Sequence, residues 1–428
     1  MNTSRATIAT APANATAAPA GRPALKPLDA ALAELLAHAA PLTHLETVST
    51  FEADGRVLAQ DVVSALQVPP EDNSSMDGYA VRAAEVLQAG TVLRVSQRIP
   101  AGSAGPALEP GTVARIFTGA PIPAGADAVV MQEDCEVLAE PQGFIRITQP
   151  PKPAQWIRRA GEDVTRGAIV LSTGERLTPA ALGLAASVGM NVLQVARRPR
   201  VALFSTGDEL VMPGEVAPEQ MRPGAIYNSN RFFLRALLLR LGCEVTDMGI
   251  VPDRRDATLD ALRSASQAHD LILTSGGVSV GEEDHIKPAV QQLGSLDLWQ
   301  IAIKPGKPFA YGKVGPAHFI GLPGNPVSSF VTFLLLVRPF LLTLQGASQV
   351  AVKSVAVPAH FNWSRADKRR EFLRVQRNAA GGLDLFANQS SGVLTSAVWG
   401  DGLVDNPAGQ TIAHGDSVQF IPFSALLS

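Results

Sequence analysis

From residue 199 onward, short apolar runs alternate with longer amphipathic stretches. Residues 201–204, 244–250, 271–274 and 298–303 read as strands. Residues 229–241, 257–268 and 282–293 read as helices, with Phe233, Leu237 and Leu241 on one face of the first. Runs as short and continuously apolar as Leu271–Leu273 suit strands buried on both faces. The alternation predicts βαβ units, hence a doubly wound parallel sheet with helices on both faces. Ligands of such sheets sit beyond the carboxyl ends of the strands.

The flanks have other patterns. Residues 28–40 and 178–188 carry helical spacing, the second with Pro179 in its first turn. Residues 68–150 are rich in Val, Ile, Gly and Pro with strand-like alternation, which predicts a small β module closed by the Pro150–Pro153 linker. Residues 351–428 show short strand-like pieces and turns without a clear helix, read as a terminal β-barrel. Residues 1–24 are Ala/Thr/Pro-rich and read as a disordered tail.

Composition narrows the classes. A net charge of −3 gives no basic bias toward nucleic acid or anionic membrane. The two cysteines, Cys135 and Cys243, lie far apart and outside any C-x-x-C, which points to free thiols in a reducing cytoplasm. The most apolar stretch, residues 331–344, is cut by Arg338-Pro339 and is short for a membrane span.

Candidate chemistry gathers after the strands. Ser205-Thr-Gly-Asp-Glu209 follows the first, and Asp253 follows the second. The third leads into Gly276-Gly277, Ser279 and Asp284, and the fourth into Lys304-Pro-Gly-Lys-Pro308. The glycine amides can cradle a phosphate, and the acidic residues after them can hold a divalent cation; an ordinary βα turn with an acidic first turn accounts for the same letters. Asp253 and Asp284 can share a hard cation such as Mg²⁺, with Glu209 joining them or orienting a ligand. Lys304 and Lys307 can face a polyanion together, although in isolation they are two solvated lysines. Gly321-Leu-Pro-Gly-Asn-Pro326 with Ser328 can hold a second anion or simply cap a helix. Asp77 on a turn, Thr118 at a strand end and the basic knot Lys368–Arg374 near Ser390-Ser391 admit plain structural readings. Gly277-Val-Ser-Val-Gly281 fits a hydrolase elbow, but His318 and His414 are the only distant partners and the other strand ends stay unexplained.

Six motifs carry a resemblance: Met76–Ala80 (MDGYA), Arg115–Pro123 (RIFTGAPIP), Ser205–Leu210 (STGDEL), Ser275–Asp284 (SGGVSVGEED), Ile303–Phe309 (IKPGKPF) and Gly321–Ser328 (GLPGNPVS). In this order they resemble the molybdopterin molybdenumtransferase family, similar to the C-terminal domain of gephyrin. The resemblance implies a homodimer and four parts per chain: a helical part from 25–65 and 151–198, a β-rich insertion at 66–150, an α/β molybdopterin-binding domain at 199–347 and a β-barrel at 348–428. It implies insertion of molybdate into adenylyl-molybdopterin with release of AMP. Asp253, Ser279 and Asp284 would hold the adenylate and Mg²⁺. Lys304, Lys307, Ser328, Arg369 and Ser391 would form the molybdate pocket. Asp77, Thr118, Asp163 and Glu209 match positions important in the family, the first two reaching the site across the dimer. Partners implied are the molybdopterin adenylyltransferase and recipient molybdoenzymes. The chain departs from the family at Lys368, where glycine is usual, so Arg369 competes with Arg370 for the pocket, as Ser391 does with Ser390. A non-catalytic molybdopterin-binding scaffold and the related adenylyltransferase are the alternatives; MDGYA and RIFTGAP speak against the second.

Overall fold

The computed structural model describes residues 25–277 and 285–427, so Ser279 and Asp284, like the tail at 1–24, lie outside the described residues. The chain divides into two compact units. One comprises residues up to 38 with 200–340 and 352–428; the other comprises 39–199 with 341–351.

The first unit contains a six-stranded sheet in the order Glu244–Val251, Arg200–Thr206, Leu271–Ser275, Ala317–Leu322, Pro308–Val314, Gly294–Gln300. The first four strands are parallel. The last two are antiparallel additions. The expected all-parallel sheet is therefore mixed. A tight turn at Gly315 folds the 308–314 strand back on 317–322, leaving no room for a crossover helix.

Alternate residues of the central strands face opposite ways, and both sets are buried. Ala202, Phe204 and Ile272 pack with Leu262, Ala265, Ala289 and Val290 of helices Arg255–Ala268 and Ile286–Leu293. Helix Ser229–Arg240 buries Leu234, Leu237 and Leu238, while Phe233 is only half-buried against the Phe330 ring. The strand expected at 298–303 begins earlier, at Gly294, and ends at Gln300. It is an edge strand in which only Trp299 is buried, so its apolar signal was weak.

Ile303–Lys304 belongs to a different sheet. It pairs in parallel with Arg370–Arg377, starting a sheet that continues through Gly402–Asn406, Ser417–Pro422 and Val355–Pro358, with Leu383–Leu385 on the side. An isolated parallel bridge from Ala359 to Leu383, with the His360 N–H donating to the Leu383 carbonyl at 2.9 Å, links the Val355–Pro358 end of this path back to the strand beside Arg370–Arg377. Two single-turn helices, Thr395–Trp399 and Phe423–Leu427, accompany the sheet where no helix was expected. The apolar stretch near 331–344 is not cut at Arg338-Pro339. Helix runs from Pro326 to Leu344, long and apolar enough by composition to cross a membrane, but 83% of its apolar window is buried in the fold. A wide π turn at Phe333–Val337 precedes Pro339, relieving the clash and lost donor that proline brings to a regular helix.

The second unit holds a six-stranded sheet over 78–147, in the order Ala128–Met131, Gly78–Val81, Thr112–Ile116, Thr91–Ile99, Phe144–Ile147, Cys135–Val137. Two-stranded ladders pair Leu45–Ser49 with Val192–Ala196 and Val62–Val63 with Ile169–Leu171. Besides the last turn of the Pro326–Leu344 helix, this unit holds helix Pro179–Ser187, capped by the Thr178 side chain. Helix Leu28–Ala37 belongs to the first unit, so the part expected to be helical is built mainly of ladders.

Candidate active site

The parallel strands end together at Thr206, Val251, Ser275 and Leu322, and Gln300 and Pro308 meet at the same edge. A cavity of about 760 Å³ opens there. Glu209, Asp253, Gly276, Gly277 and Pro308 lie on its wall, as expected from their positions after the strands, and so does Ser328 from the loop that enters the next helix. Gly276 and Gly277 have φ of 91° and 67°, a conformation that strains any other residue. A Cβ at Gly276 would stand 2.9 Å from the Thr206 carbonyl oxygen.

Two asparagines of the wall were missed by sequence reasoning. Asn228 caps helix Ser229–Arg240, accepting from the Arg231 N–H at 3.2 Å. It is 2% exposed, and its Nδ2 has no hydrogen-bond partner among the described residues. A buried amide donor on a cavity wall is a group that a bound ligand can satisfy. Asn230 donates to Ser275 Oγ and to the Gly324 carbonyl, both at 2.7 Å, and so ties three segments of the wall. The signal available was the asparagine-capped start of an amphipathic helix.

Lys304, Lys307, Arg369 and Ser391 are not on that wall. Lys304 Nζ contacts Glu371 at 2.9 Å and Asp367 at 3.4 Å. Arg369 grips Asp367 through Nε at 2.9 Å and a terminal nitrogen at 2.8 Å. Asp367 thus bridges two expected pocket cations, and the Arg369 guanidinium holds its carboxyl well below the usual range. Arg370 instead pairs with Asp405 and Asp29. Of the two candidate arginines, Arg369 is the one beside Lys304. Glu371 is buried and also accepts from Trp363 Nε1 at 2.8 Å; neither it nor Asp367 was singled out from the sequence. Lys307 is exposed. The Ser391 carbonyl accepts from Val327 N–H at 2.9 Å, and the next residue, Gly392, reaches the cavity wall. The loop of Ser391 is therefore fastened beside Ser328.

Asp77, Thr118 and Asp163 belong to the other unit. Asp77 accepts from Thr118 N–H at 2.8 Å and from Thr118 Oγ1 at 2.9 Å, and these bonds lower its pKa. Arg115 donates to the Gly78 carbonyl at 2.9 Å, bracing the same turn. Asp163 is exposed. No cluster of three or more metal-ligating side chains occurs among the described residues.

Comparisons with known proteins agree with this layout. Residues 26–189 match the MoeA N-terminal region (domain I and II), 202–343 a probable molybdopterin binding domain, and 356–423 the MoeA C-terminal region (domain IV). The molybdopterin molybdenumtransferase of Haemophilus influenzae is 44% identical over 354 residues, covering 81% of this chain and 85% of that protein. The chain belongs to the molybdopterin molybdenumtransferase family. Molybdopterin molybdenumtransferase 2 of Mycobacterium tuberculosis is 37% identical, covering 88% of this chain and 93% of that relative. Among solved structures, the molybdopterin biosynthesis protein MoeA of Pyrococcus horikoshii OT3 superposes with a TM-score of 0.80 at 28% identity, over 93% of this chain and all of that one.

Proposed function

We propose that this protein is a transferase of molybdenum cofactor biosynthesis that inserts molybdate into adenylyl-molybdopterin and releases AMP. The observation that carries the reading is the cavity at the carboxyl edge of the sheet. Its wall joins the Gly276-Gly277 turn, Asn228, whose buried Nδ2 has no hydrogen-bond partner among the described residues, and two carboxylates, Asp253 and Glu209. Amide donors suit the phosphates of a nucleotide ester, and the carboxylates suit a hard cation.

Magnesium fits this donor set, because it binds through one or two carboxylates and substrate phosphates while keeping several waters. Asp253 and Asp284 would be its ligands, and the ion would neutralise charge on the phosphates. The chain's own groups do the rest. Gly277 and Asn228 hold the phosphates, Gly276 shapes the turn with its own N–H tied to the Leu322 carbonyl at 3.1 Å, and Ser279 binds the adenylate. Pro308 and Glu209, both on the wall, orient the ligand. Ser328 and the Ser391 loop receive the oxyanion, with Lys304, Lys307 and Arg369 supplying positive charge beside it. Asp77 and Thr118 complete the site from a second copy of the chain, and Asp163 contributes to substrate binding, in a cytoplasmic homodimer fed by the adenylyltransferase and emptied by recipient molybdoenzymes.

The test is AMP release from adenylyl-molybdopterin by purified protein. The reading requires release that depends on both Mg²⁺ and molybdate and disappears in Asp253→Asn and Asp284→Ala. Tight adenylate binding without AMP release would establish a scaffold instead.

A further inference from the structure

Among the described residues, the largest side chain sealed inside the molecule is a charged one. Arg374, on strand Arg370–Arg377, is 1% exposed. Its Nε donates to Ser396 Oγ at 3.1 Å, and its terminal nitrogens donate to the Phe372 carbonyl at 3.1 Å and the Ser390 carbonyl at 3.3 Å. All three acceptors are neutral. Among the described residues no carboxylate forms an ion pair with it, whereas Arg370 on the same strand has Asp405 and Asp29. Burial alone pulls its pKa down to about 10, which leaves the guanidinium charged at neutral pH.

A buried charge without a partner is costly, and an apolar side chain of similar size fills such a space at lower cost. Packing therefore does not explain an arginine here. Its surroundings do. Gln389 clasps the Arg374 backbone in both directions, accepting from its N–H at 2.9 Å and donating to its carbonyl at 3.0 Å. The next residues are Ser390, held by the guanidinium, and Ser391, whose carbonyl accepts from Val327. Gly392 then joins Ser328 on the cavity wall. The guanidinium thus grips the carbonyl of the residue just before Ser391, in a medium that screens its charge poorly.

We propose that Arg374 is a positioning residue that fixes the 389–392 loop and supplies the uncompensated positive charge that draws a tetrahedral oxyanion to the Ser328–Ser391 corner. The identity of the oxyanion as molybdate rests on the reading given under Proposed function.

The experiment measures AMP release by the full-length protein against molybdate and against adenylyl-molybdopterin separately. Arg374→Met raises the molybdate KM about tenfold and leaves the adenylate KM within about twofold, with Arg374→Lys recovering part of the loss. Ser396→Asp gives the guanidinium a carboxylate where its hydroxyl partner stood. This variant keeps or raises the Tm while raising the molybdate KM as Arg374→Met does; the neutral Ser396→Asn does not raise it. A role in folding alone predicts the opposite pairing, with stability lost and both KM values moving together. A folded Ser396→Asp with an unchanged molybdate KM overturns the proposal, as does its failure to fold, because a charge that rejects a carboxylate was not uncompensated. If the wild-type protein releases no AMP, the transferase reading fails by itself. Calorimetric binding of inorganic molybdate to the same variants then decides the role of Arg374, with equal affinities in wild type and Ser396→Asp overturning it.

Discussion

Lys304 and Glu371 are neighbours twice over: their Cα positions are register partners in a parallel ladder, and their side chains meet at 2.9 Å. Glu371 is 1% exposed and also accepts from Trp363 Nε1, while Lys304 keeps 38% of its side chain in contact with solvent. The ammonium of a lysine expected to handle an anion is thus anchored from below and open above.

Removing the anchor tests this arrangement. Glu371→Ala strands the Trp363 N–H and deprives Lys304 of its nearest counter-charge, which costs about 3 kcal/mol. Glu371→Gln retains an acceptor for Trp363 and costs about 1 kcal/mol. Urea unfolding ranks the two variants; equal midpoints for Glu371→Ala and the wild type would sink the account.

Gly306, between the two lysines, has φ of 108°, and a Cβ there would lie 2.3 Å from Thr332 Oγ1. Gly306→Ala is expected to lose about 2 kcal/mol through strain and overlap and to displace Lys304 and Lys307, lowering AMP release more than adenylate binding. Thermal melts paired with turnover measure both effects. Wild-type values for both would show that the loop is not held this tightly.

Asn230→Leu leaves Ser275 Oγ and the Gly324 carbonyl without their donor at a buried site. A loss of about 1–3 kcal/mol follows. Because both partners line the cavity, adenylate affinity falls as well. Asn230→Asp, which cannot donate to either, behaves similarly; an Asn230→Asp protein with native stability and affinity would refute the role of the amide.

Acid titrates the Asp367 bridge. The Arg369 guanidinium depresses the carboxyl of Asp367, so its contribution to stability is fully present above the unfolded-state value of about 4. It is lost as pH falls from there through the lower folded-state pKa. Stability measured between pH 5 and pH 2 therefore declines less steeply in Asp367→Asn than in the wild type. Parallel declines would mean that the bridge does not form in solution.

Much of the candidate site was legible because a parallel strand announces where its loop must go. Glu209, Asp253, Gly276, Gly277 and Pro308 were placed at one edge by strand order, and Ser328 by its rigid loop entering a helix; all six line the cavity. The antiparallel half of the sheet was not legible. Residues 294–300 form an edge strand with one buried side chain, so their alternation carries little apolar contrast, and the strand was displaced toward Ile303. Ile303 is buried for a different reason, as the start of a two-residue strand in the other sheet. Asp367, Glu371 and Arg374 were hidden in a charge-rich segment that looked like a solvated face. Only the third dimension shows Glu371 and Arg374 to be buried.

The segment that carries the lysines is sewn at several points. Ile301 N–H reaches the Lys307 carbonyl, Ala302 N–H the Lys26 carbonyl, and Arg370 N–H the Ala302 carbonyl. Amide hydrogen exchange should therefore give Ile301 and Ala302 a slowness more typical of a core strand than of a surface loop. Slow exchange would place the lysine-bearing loop within the same cooperative opening as both sheets it joins.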